Sequence, residues 1–483
     1  MNTSVAADHR KSHATDTTGA PVAPNHAPAL IDALRRFSEK LDSAGTAWCV
    51  LRNYETFPWP ISSTSDIDIL IGCPGSNALD MLLDACRGSG IYLGSLVRRS
   101  GGGVLSVFLA IPGSACLRID LILCIGWAGR SLVSESVLLQ TRRRTSNAAI
   151  PSPGGEAAVS LMTYLFHQGE VKQRYRARLQ SLVEDDAAGF IASLHPIWGK
   201  SLAQEILQRV KTADWGWFPV WVIHGKRMLL RSHIQNPIKL ISTLFDFAVV
   251  GTERILRAPG LCIAFLGPDG AGKTTVGEAY RQRLSTMFYA ANHRCFHWRP
   301  RLLPAPGEVV GKRSVTNDVT QPHAQPLRGH ASSLLRFAYF AADYLLGHWA
   351  RVRPVLAKNG LVTFDRYYQD FLVDPLRYRL RISTRLIRMV GHLVPQPAMI
   401  FVLDAPAEML HARKQELTIS EIEHQRSSLK DMAAQEPSAT IVDVSRDVES
   451  IVDDLERLTL AYLDRRNCRR ITRAPLATRR DEA

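Results

Sequence analysis

The stretch Leu261-Cys262-Ile263-Ala264-Phe265-Leu266-Gly267-Pro268-Asp269-Gly270-Ala271-Gly272-Lys273-Thr274-Thr275 constrains the fold more than any other part of the chain. An apolar run long enough for a buried strand breaks into a glycine-rich turn, which closes on Gly272-Lys273-Thr274 as a helical segment opens. The spacing Gly-x-x-x-x-Gly-Lys-Thr is that of a phosphate-binding loop. Gly267, Gly270 and Gly272 let the backbone aim successive N–H groups inward, and the following helix adds the positive end of its dipole. Lys273 is placed to reach the β- and γ-phosphates of a triphosphate, and Thr274 to offer its hydroxyl to Mg²⁺. ATP and Mg²⁺ are therefore the expected cofactors, with Asp269, Ala271 and Thr275 completing the nucleotide-contacting set.

At 483 residues the chain exceeds one ordinary core, so two globular units with connectors are expected. The net charge of +14 points to polyanionic company: nucleotides, phosphorylated glycans, nucleic acid or an acidic membrane surface. Part of it resides in Arg465, Arg466, Arg469, Arg470, Arg473, Arg479 and Arg480, and residues 467–483 read as a disordered basic tail. Eight cysteines occur singly, with no Cys-x-x-Cys pair and no zinc-like histidine spacing, as expected of small core residues in a reducing compartment. Residues 1–26 lack an apolar segment and read as a flexible leader. The longest uncharged run, Ser100 to Leu117, holds three consecutive glycines and Pro112, which suits two strands and a turn. A cytoplasmic protein is expected, with peripheral membrane contact left open.

In the first half, Leu30, Ile31, Leu34, Phe37 and Leu41 recur at helical spacing and stop at Gly45. Trp48 to Arg52 reads as a strand. The strand Ser65 to Ile71 has a period of two that sets Asp66 and Asp68 on one face and Ile67, Ile69 and Ile71 on the other. A helix around Asn77 to Cys86 precedes a hairpin, Gly103 to Ile111 and Cys116 to Ile125, whose second strand carries Asp120 opposite its apolar neighbours. Two carboxylates at i and i+2, with a third from a neighbouring strand, are what a two-metal phosphoryl site requires. In that order, residues 27–200 resemble the nucleotidyltransferase superfamily, the fold of DNA polymerase β. The resemblance implies an α+β domain with metal held by Asp66, Asp68 and Asp120. Where that family places a Gly-Ser or Gly-Gly pair, this chain has Leu51-Arg52-Asn53-Tyr54-Glu55, with Arg52 and Asn53 as alternative donors.

Glu156 to Leu182 reads as one helix, with Lys172, Arg174 and Arg176 on its polar side, and residues 201–257 as a helical connector. Within it, Trp215, Trp217, Phe218 and Trp221 precede Lys226, Arg227 and Arg231, a cluster suited to domain packing or to an interfacial anchor.

Beyond the phosphate loop, Asn292 to Pro300 ends in His297-Trp298-Arg299-Pro300, and Pro304 to Leu327 reads as a mobile loop. Leu334 to Ala350 returns to helical spacing. The strand Leu361-Val362-Thr363-Phe364 ends in Asp365-Arg366-Tyr367-Tyr368. Strand ends in a parallel sheet converge on the ligand crevice, so Asp365 is expected near the metal and Arg366 near an acceptor anion. Ala398 to Leu403 ends at Asp404, a helix from Pro406 carries His411, Arg413 and Lys414, and Thr440 to Val444 leads into a helix through Leu463.

With Asp269-Gly270-Ala271-Gly272-Lys273-Thr274-Thr275, Phe364-Asp365-Arg366-Tyr367 and Leu403-Asp404-Ala405-Pro406, residues 258–466 resemble the thymidylate kinase branch of the nucleoside-monophosphate kinases. The resemblance implies a P-loop NTPase fold of α/β class with a parallel sheet, and a homodimer. It also implies roles: Asp269 approaching the acceptor, Asp365 helping to hold Mg²⁺, Arg366 gripping the acceptor phosphate, and Arg413 supplying the lid arginine. The acceptor pocket departs from the family. Gln369 to Tyr378 replaces a serine-rich stretch leading to Ala-Tyr-Gln, and Trp298-Arg299-Pro300-Arg301 replaces Arg-Glu-Pro-Gly. Arg377, Arg379 and Arg381 suggest an anionic acceptor, a sugar or sugar phosphate of glycan biosynthesis. A true dTMP or nucleoside-monophosphate kinase and a non-catalytic nucleotide-binding regulator are the alternatives; nucleic acid is not the expected partner.

Overall fold

The computed structural model describes residues 27–52, 54–55, 57–58, 66–100, 103–114, 116–235, 237–304, 329–375 and 377–473. The expected leader, Asn53, nearly all of the expected 304–327 loop and the last ten residues of the expected tail lie outside these.

Alternation in Asp66–Ile71 demands a strand with one wet face and one dry face, and the first sheet is built around it. Its strands are β1 (Trp48–Val50), β2 (Asp66–Ile71), β3 (Tyr92–Arg98), β4 (Val104–Ala110) and β5 (Cys116–Ile122), in the order β1-β2-β5-β4-β3. Only β2 and β5 run parallel; the expected hairpin is β4–β5. Ile67, Ile69 and Ile71 share a core with Leu34 and Phe37 of α1 (Ala27–Ser43) and Leu79 and Leu82 of α2 (Gly75–Cys86). Two short ladders follow, β6 (Gly126–Trp127) with β7 (Arg130–Ser131) and β8 (Arg143–Arg144) with β9 (Ala149–Ile150), separated by α3 (Glu135–Gln140).

The expected helix over 156–182 is interrupted. α4 (Pro153–Thr163) loosens into a π turn at Tyr164–Gln168 and stops at Gly169, whose φ of +87° an L side chain resists, before α5 (Gln173–Asp185) begins. Then come α6 (Ala187–Trp198), α7 (Lys200–Lys211), α8 (Trp217–Gln235) and α9 (Pro237–Leu256). The expected connector is partly first-unit core: Ile206, Val210, Phe218 and Trp221 are buried with it, and Trp217 stacks on Trp221 with ring centres 5.6 Å apart.

The second sheet is wholly parallel: β10 (Leu261–Leu266), β11 (Arg294–His297), β12 (Leu361–Asp365), β13 (Met399–Asp404) and β14 (Ala439–Asp443), ordered β11-β12-β10-β13-β14. Central β10 is buried along its whole length, as a continuous apolar run in a two-sided sheet should be. Leu261, Ile263 and Phe265 face a core with Val276 and Tyr280 of α10 (Lys273–Arg283); Cys262, Ala264 and Leu266 face another with Phe337, Phe340 and Tyr344.

The C-terminal helix Val448–Arg473 corrects the expected end at Leu463 and the tail expected from 467. β3 is an edge strand with open main-chain groups, and this helix covers them. Asp464 Oδ1 accepts from the Leu93 N–H at 2.9 Å, and Asn467 Nδ2 donates to the carbonyls of Leu93 at 3.0 Å and Gly94 at 3.2 Å. The two units also share core: Val97, Phe108, Ala110 and Cys116 of the first sheet pack with the second-sheet cluster, and Ser95 Oγ donates to Asn359 Oδ1 at 2.6 Å. Among the described residues no helix is long and apolar enough to cross a membrane.

Candidate phosphate and metal sites

The strand β10 delivers its chain into a loop that only glycine can follow. Gly270 has a φ of +87° and a Cβ there would stand 2.5 Å from the Leu410 carbonyl oxygen; at Gly267 it would stand 2.6 Å from that of Leu403. Gly272 caps α10 in the left-handed region, Ala271 is fully buried, and Thr275 stands exposed on the helix's first turn. Lys273, the first residue of α10, is buried and donates to the carbonyls of Gly267 at 3.0 Å and Pro268 at 2.9 Å. Its burial, and then the Arg366 charge, pull its pKa down to about 8 against the opposing pull of Asp269 and Asp365.

Parallel pairing of β10 with β12 sets Phe265 beside Asp365, so the strand-end acid meets the loop. Thr274 Oγ1 donates to Asp365 Oδ2 at 2.8 Å, and Asp365 Oδ1 is buried with no hydrogen-bond partner. His297, paired in register with Asp365 from β11, lies 3.8 Å away. Burial pushes Asp365 up, but the nearby His297 ring, the Lys273 charge and the Thr274 hydroxyl together hold it at about 2. An ionised carboxylate with an unfilled oxygen beside a threonine hydroxyl is a donor set that fits Mg²⁺. His297 was not singled out in the sequence as a site residue; its register against Asp365 is set by sheet order.

Across the loop, Arg366 sits at a φ of +74° and donates to Asp370 Oδ2 at 2.9 Å and to Asp269 Oδ1. Arg377 Nη1 donates to Asp269 Oδ2 at 2.6 Å, and the Tyr378 hydroxyl to Asp370 Oδ2 at 3.2 Å. Asp269 is held well below the usual carboxylate range: burial opposes this, but Arg366, Lys273 and Arg377 outweigh it. Tyr378 stacks on Trp298 with centres 4.6 Å apart, and Phe371 closes edge-on at 4.9 Å from Tyr378. The Trp298 Nε1 in this aromatic wall is buried without a partner. Of the three arginines 377, 379 and 381, the structure brings only Arg377 to Asp269. Arg413 is turned to the main chain: both its Nη atoms donate to the Val444 carbonyl at 3.2 Å, just past the end of β14.

In the first unit, the β2–β5 register sets Asp68 beside Asp120 and Asp66 beside Arg118. One oxygen from each of Asp66, Asp68 and Asp120 lies within 4.8 Å of the others. Arg118 donates from Nε to Asp120 Oδ1 at 3.0 Å and lies 3.4 Å from Asp66; Arg99 lies 3.4 Å from Asp120 and Arg52 3.7 Å from Asp68. Burial, reinforced by Asp66 and Asp120 and opposed by Arg52, raises Asp68 to about 6. The Tyr289 ring, from the second unit, lies 5.5 Å from the Arg118 guanidinium. Three converging carboxylates suit a hard divalent cation such as Mg²⁺. Arg99 and Tyr289 carried no sequence signal for this site, since each arrives through tertiary packing.

No protein-family model matches this chain, and no curated protein does. Among solved structures it is similar to thymidylate kinase from Ehrlichia chaffeensis, at 21% identity and a TM-score of 0.30, over 41% of this chain and 99% of that one. It is also similar to thymidylate kinase from Candida albicans, at 17% identity and a TM-score of 0.31, over 42% of this chain and 93% of that one. At these values the functional reading rests on the chain's own geometry.

Proposed function

We propose that the chain is a phosphotransferase that moves the γ-phosphoryl group of ATP to a small anionic acceptor, with Mg²⁺ as cofactor. The observation that carries the reading is the contact of Thr274 Oγ1 with Asp365, whose second oxygen lacks a partner, beside buried Lys273 in a loop fitted for phosphate. Lys273 would exchange the Gly267 and Pro268 carbonyls for the β- and γ-phosphate oxygens. Mg²⁺ held by Thr274 and Asp365 would neutralise charge on the triphosphate. Arg366 and Arg377, closed on Asp269, would turn to the acceptor's anion, and the aromatic wall with its free Trp298 N–H would position the acceptor. For Arg413 to serve as the lid arginine, its guanidinium must leave the Val444 carbonyl.

The first unit is read as a nucleotidyltransferase-like domain holding divalent metal at Asp66, Asp68 and Asp120. A kinase followed by a nucleotidyl transfer would suit activation of a sugar phosphate for a glycan. The test is incubation of the full chain with γ-labelled ATP and a panel of nucleoside monophosphates, sugars and sugar phosphates, with Lys273→Ala as control. Label on a sugar or sugar phosphate is expected. Preference for dTMP would replace the acceptor reading, and no transfer to any acceptor would remove the phosphotransferase.

A further inference from the structure

A helix on a protein surface ordinarily turns a polar face to water. α9 does not. Thr243 and Val250 face inward, while Ile238, Ile241, Leu244, Phe245, Val249 and Leu256 stand outside, Ile238 at 74% and Phe245 at 69% exposure. Neighbouring α8 adds Val220, Ile223, Met228 and Leu230, with exposed Arg227 and Arg231 among them. The aromatic cluster read as suited to domain packing or to an interfacial anchor is not part of this face: Phe218 and Trp221 are buried in the first unit's core, with Trp215 and Trp217 packed against it. These ten large apolar side chains thus stand exposed on α8 and α9, a concentration that marks an interaction site. The two acidic residues among those described in α8 and α9 lie off this face: Asp246 is drawn onto Arg98, and Glu253 lines a crevice behind α9 with Arg257 and Arg470.

A second, independent feature adjoins it. Arg257, Arg465, Arg466, Arg469 and Arg470, with Tyr462, line a cleft of about 380 Å³ where the end of α9 meets the C-terminal helix. Among the described residues no carboxylate forms an ion pair with any of these five arginines. Arg466 reaches the carbonyls of Gly260 at 2.8 Å and Pro259 at 2.6 Å, Arg470 reaches that of Ala258 at 3.1 Å, and Arg466 Nε is buried with no partner. Burial, and then the neighbouring Arg470 charge, drag Arg466 below the usual arginine range. The Glu253 carboxylate, which shares a crevice with Arg257 and Arg470, offsets part of the charge of these five cations, and the excess that is left calls for anions from outside.

We propose that α8 and α9 dock on an anionic lipid bilayer, their apolar outer face entering the acyl boundary while the arginine cleft takes lipid phosphates. Charge decides between occupants. A second copy would bring the same excess of cations to the contact, whereas phosphate headgroups neutralise it at the depth where apolar side chains leave water. The inference does not depend on the phosphotransfer reading.

The full chain is to be sedimented with vesicles of phosphatidylcholine alone and of phosphatidylcholine mixed with phosphatidylglycerol. Binding to the anionic vesicles, little binding to the neutral ones, and release by added salt are expected. Arg465→Ala with Arg469→Ala, both at exposed positions, should weaken binding about 30-fold, two surface cations at about 1 kcal/mol each. Phe245→Glu should weaken it as well, with thermal melting unchanged in both variants. Three results overturn the proposal. One is absence of binding to anionic vesicles. Another is binding of inorganic pyrophosphate, lost in the double arginine variant, by a chain that ignores vesicles, which assigns the cleft to a soluble anion. The third is a concentration-dependent dimer dissolved by Phe245→Glu, which assigns the face to a second copy.

Discussion

The phosphate loop and the acid triad carry the same formal balance, three cations against three carboxylates, and reach opposite electrostatic states. Lys273, Arg366 and Arg377 engage Asp269, Asp365 and Asp370, with the guanidinium groups in direct hydrogen bonds and Asp269 and Asp365 held low. Arg52, Arg99 and Arg118 face Asp66, Asp68 and Asp120, but the Arg52–Asp68 approach is 3.7 Å and Asp68 is raised to about 6. The lesson is that contact geometry, rather than charge count, decides whether a buried acid is compensated. At the loop Asp269 is closed on by arginines that must open to bind an acceptor, while Asp365 keeps one unpartnered oxygen; the triad keeps one undercompensated carboxylate for which a cation is the natural partner.

The sharpest way to break the comparison is at Lys273. Its ammonium is buried and committed to loop carbonyls, and in the proposed reaction it is the charge nearest the transferring phosphoryl. Lys273→Ala should lower turnover by about 10²- to 10³-fold, the size expected for removal of one charge-stabilising donor. Steady-state transfer of label from γ-labelled ATP measures it. Turnover within about threefold of wild type would show that the loop does not hold a reacting phosphate.

Asp365→Asn tests the same site through its metal. Loss of the ionised oxygen should raise the Mg²⁺ concentration needed for half-maximal activity roughly 10- to 100-fold, with a smaller change at saturating Mg²⁺. Because Asp365 titrates at about 2, its own protonation should make no contribution to the pH dependence of Mg²⁺ affinity between pH 5 and pH 8.

The triad should behave otherwise. Asp68 titrates at about 6 in the folded chain and near 3.9 when unfolded, so the native state keeps a proton that the unfolded state has lost. Stability from this group is therefore highest below about pH 4 and falls as pH rises to about 6, by up to about 3 kcal/mol. Asp68→Asn should remove that slope and melt higher at pH 7. Divalent-ion affinity runs the other way, falling up to about tenfold per pH unit below 6 as the proton competes with the metal. Calorimetry of Mn²⁺ binding between pH 5 and pH 7, with Asp365→Asn as background to weaken the loop's own metal donors, separates the two sites. A pH-independent affinity would mean that Asp68 is not a ligand.

These two sites also differ in how far the sequence discloses them. The loop is one continuous stretch, and its glycines are required by φ values and by the approach of the Leu403 and Leu410 carbonyls, so spacing alone announces it. Asp365 needed one further rule, that parallel strand ends converge. Asp66 and Asp68 were placed on one face by a period of two, but the partner register with Asp120 is a property of the sheet. What composition concealed is what tertiary contact supplies. An arginine-rich end that reads as solvated is drawn into helix because the carbonyls of residues 258–260 and the open edge of β3 accept it. The direction of Arg413, held by a main-chain oxygen, has no local signature.

The smallest effect asks whether the two regions are coupled. Tyr289 belongs to the second unit, yet its ring lies 5.5 Å from the Arg118 guanidinium, which itself grips Asp120 and neighbours Asp66. The same ring packs edge-on against Phe108 at 5.7 Å. Tyr289→Leu keeps the apolar volume approximately and removes the cation–π contact, worth about 0.5–1 kcal/mol at a partly exposed site. A guanidinium freed from the ring should pair more freely with Asp120, so Mn²⁺ affinity at the triad should fall by about two- to fivefold, with Mg²⁺ dependence at the phosphate loop unchanged. If the variant lowers stability but leaves Mn²⁺ affinity as it was, the ring is a packing element only, and the second unit exerts no influence on the acids of the first.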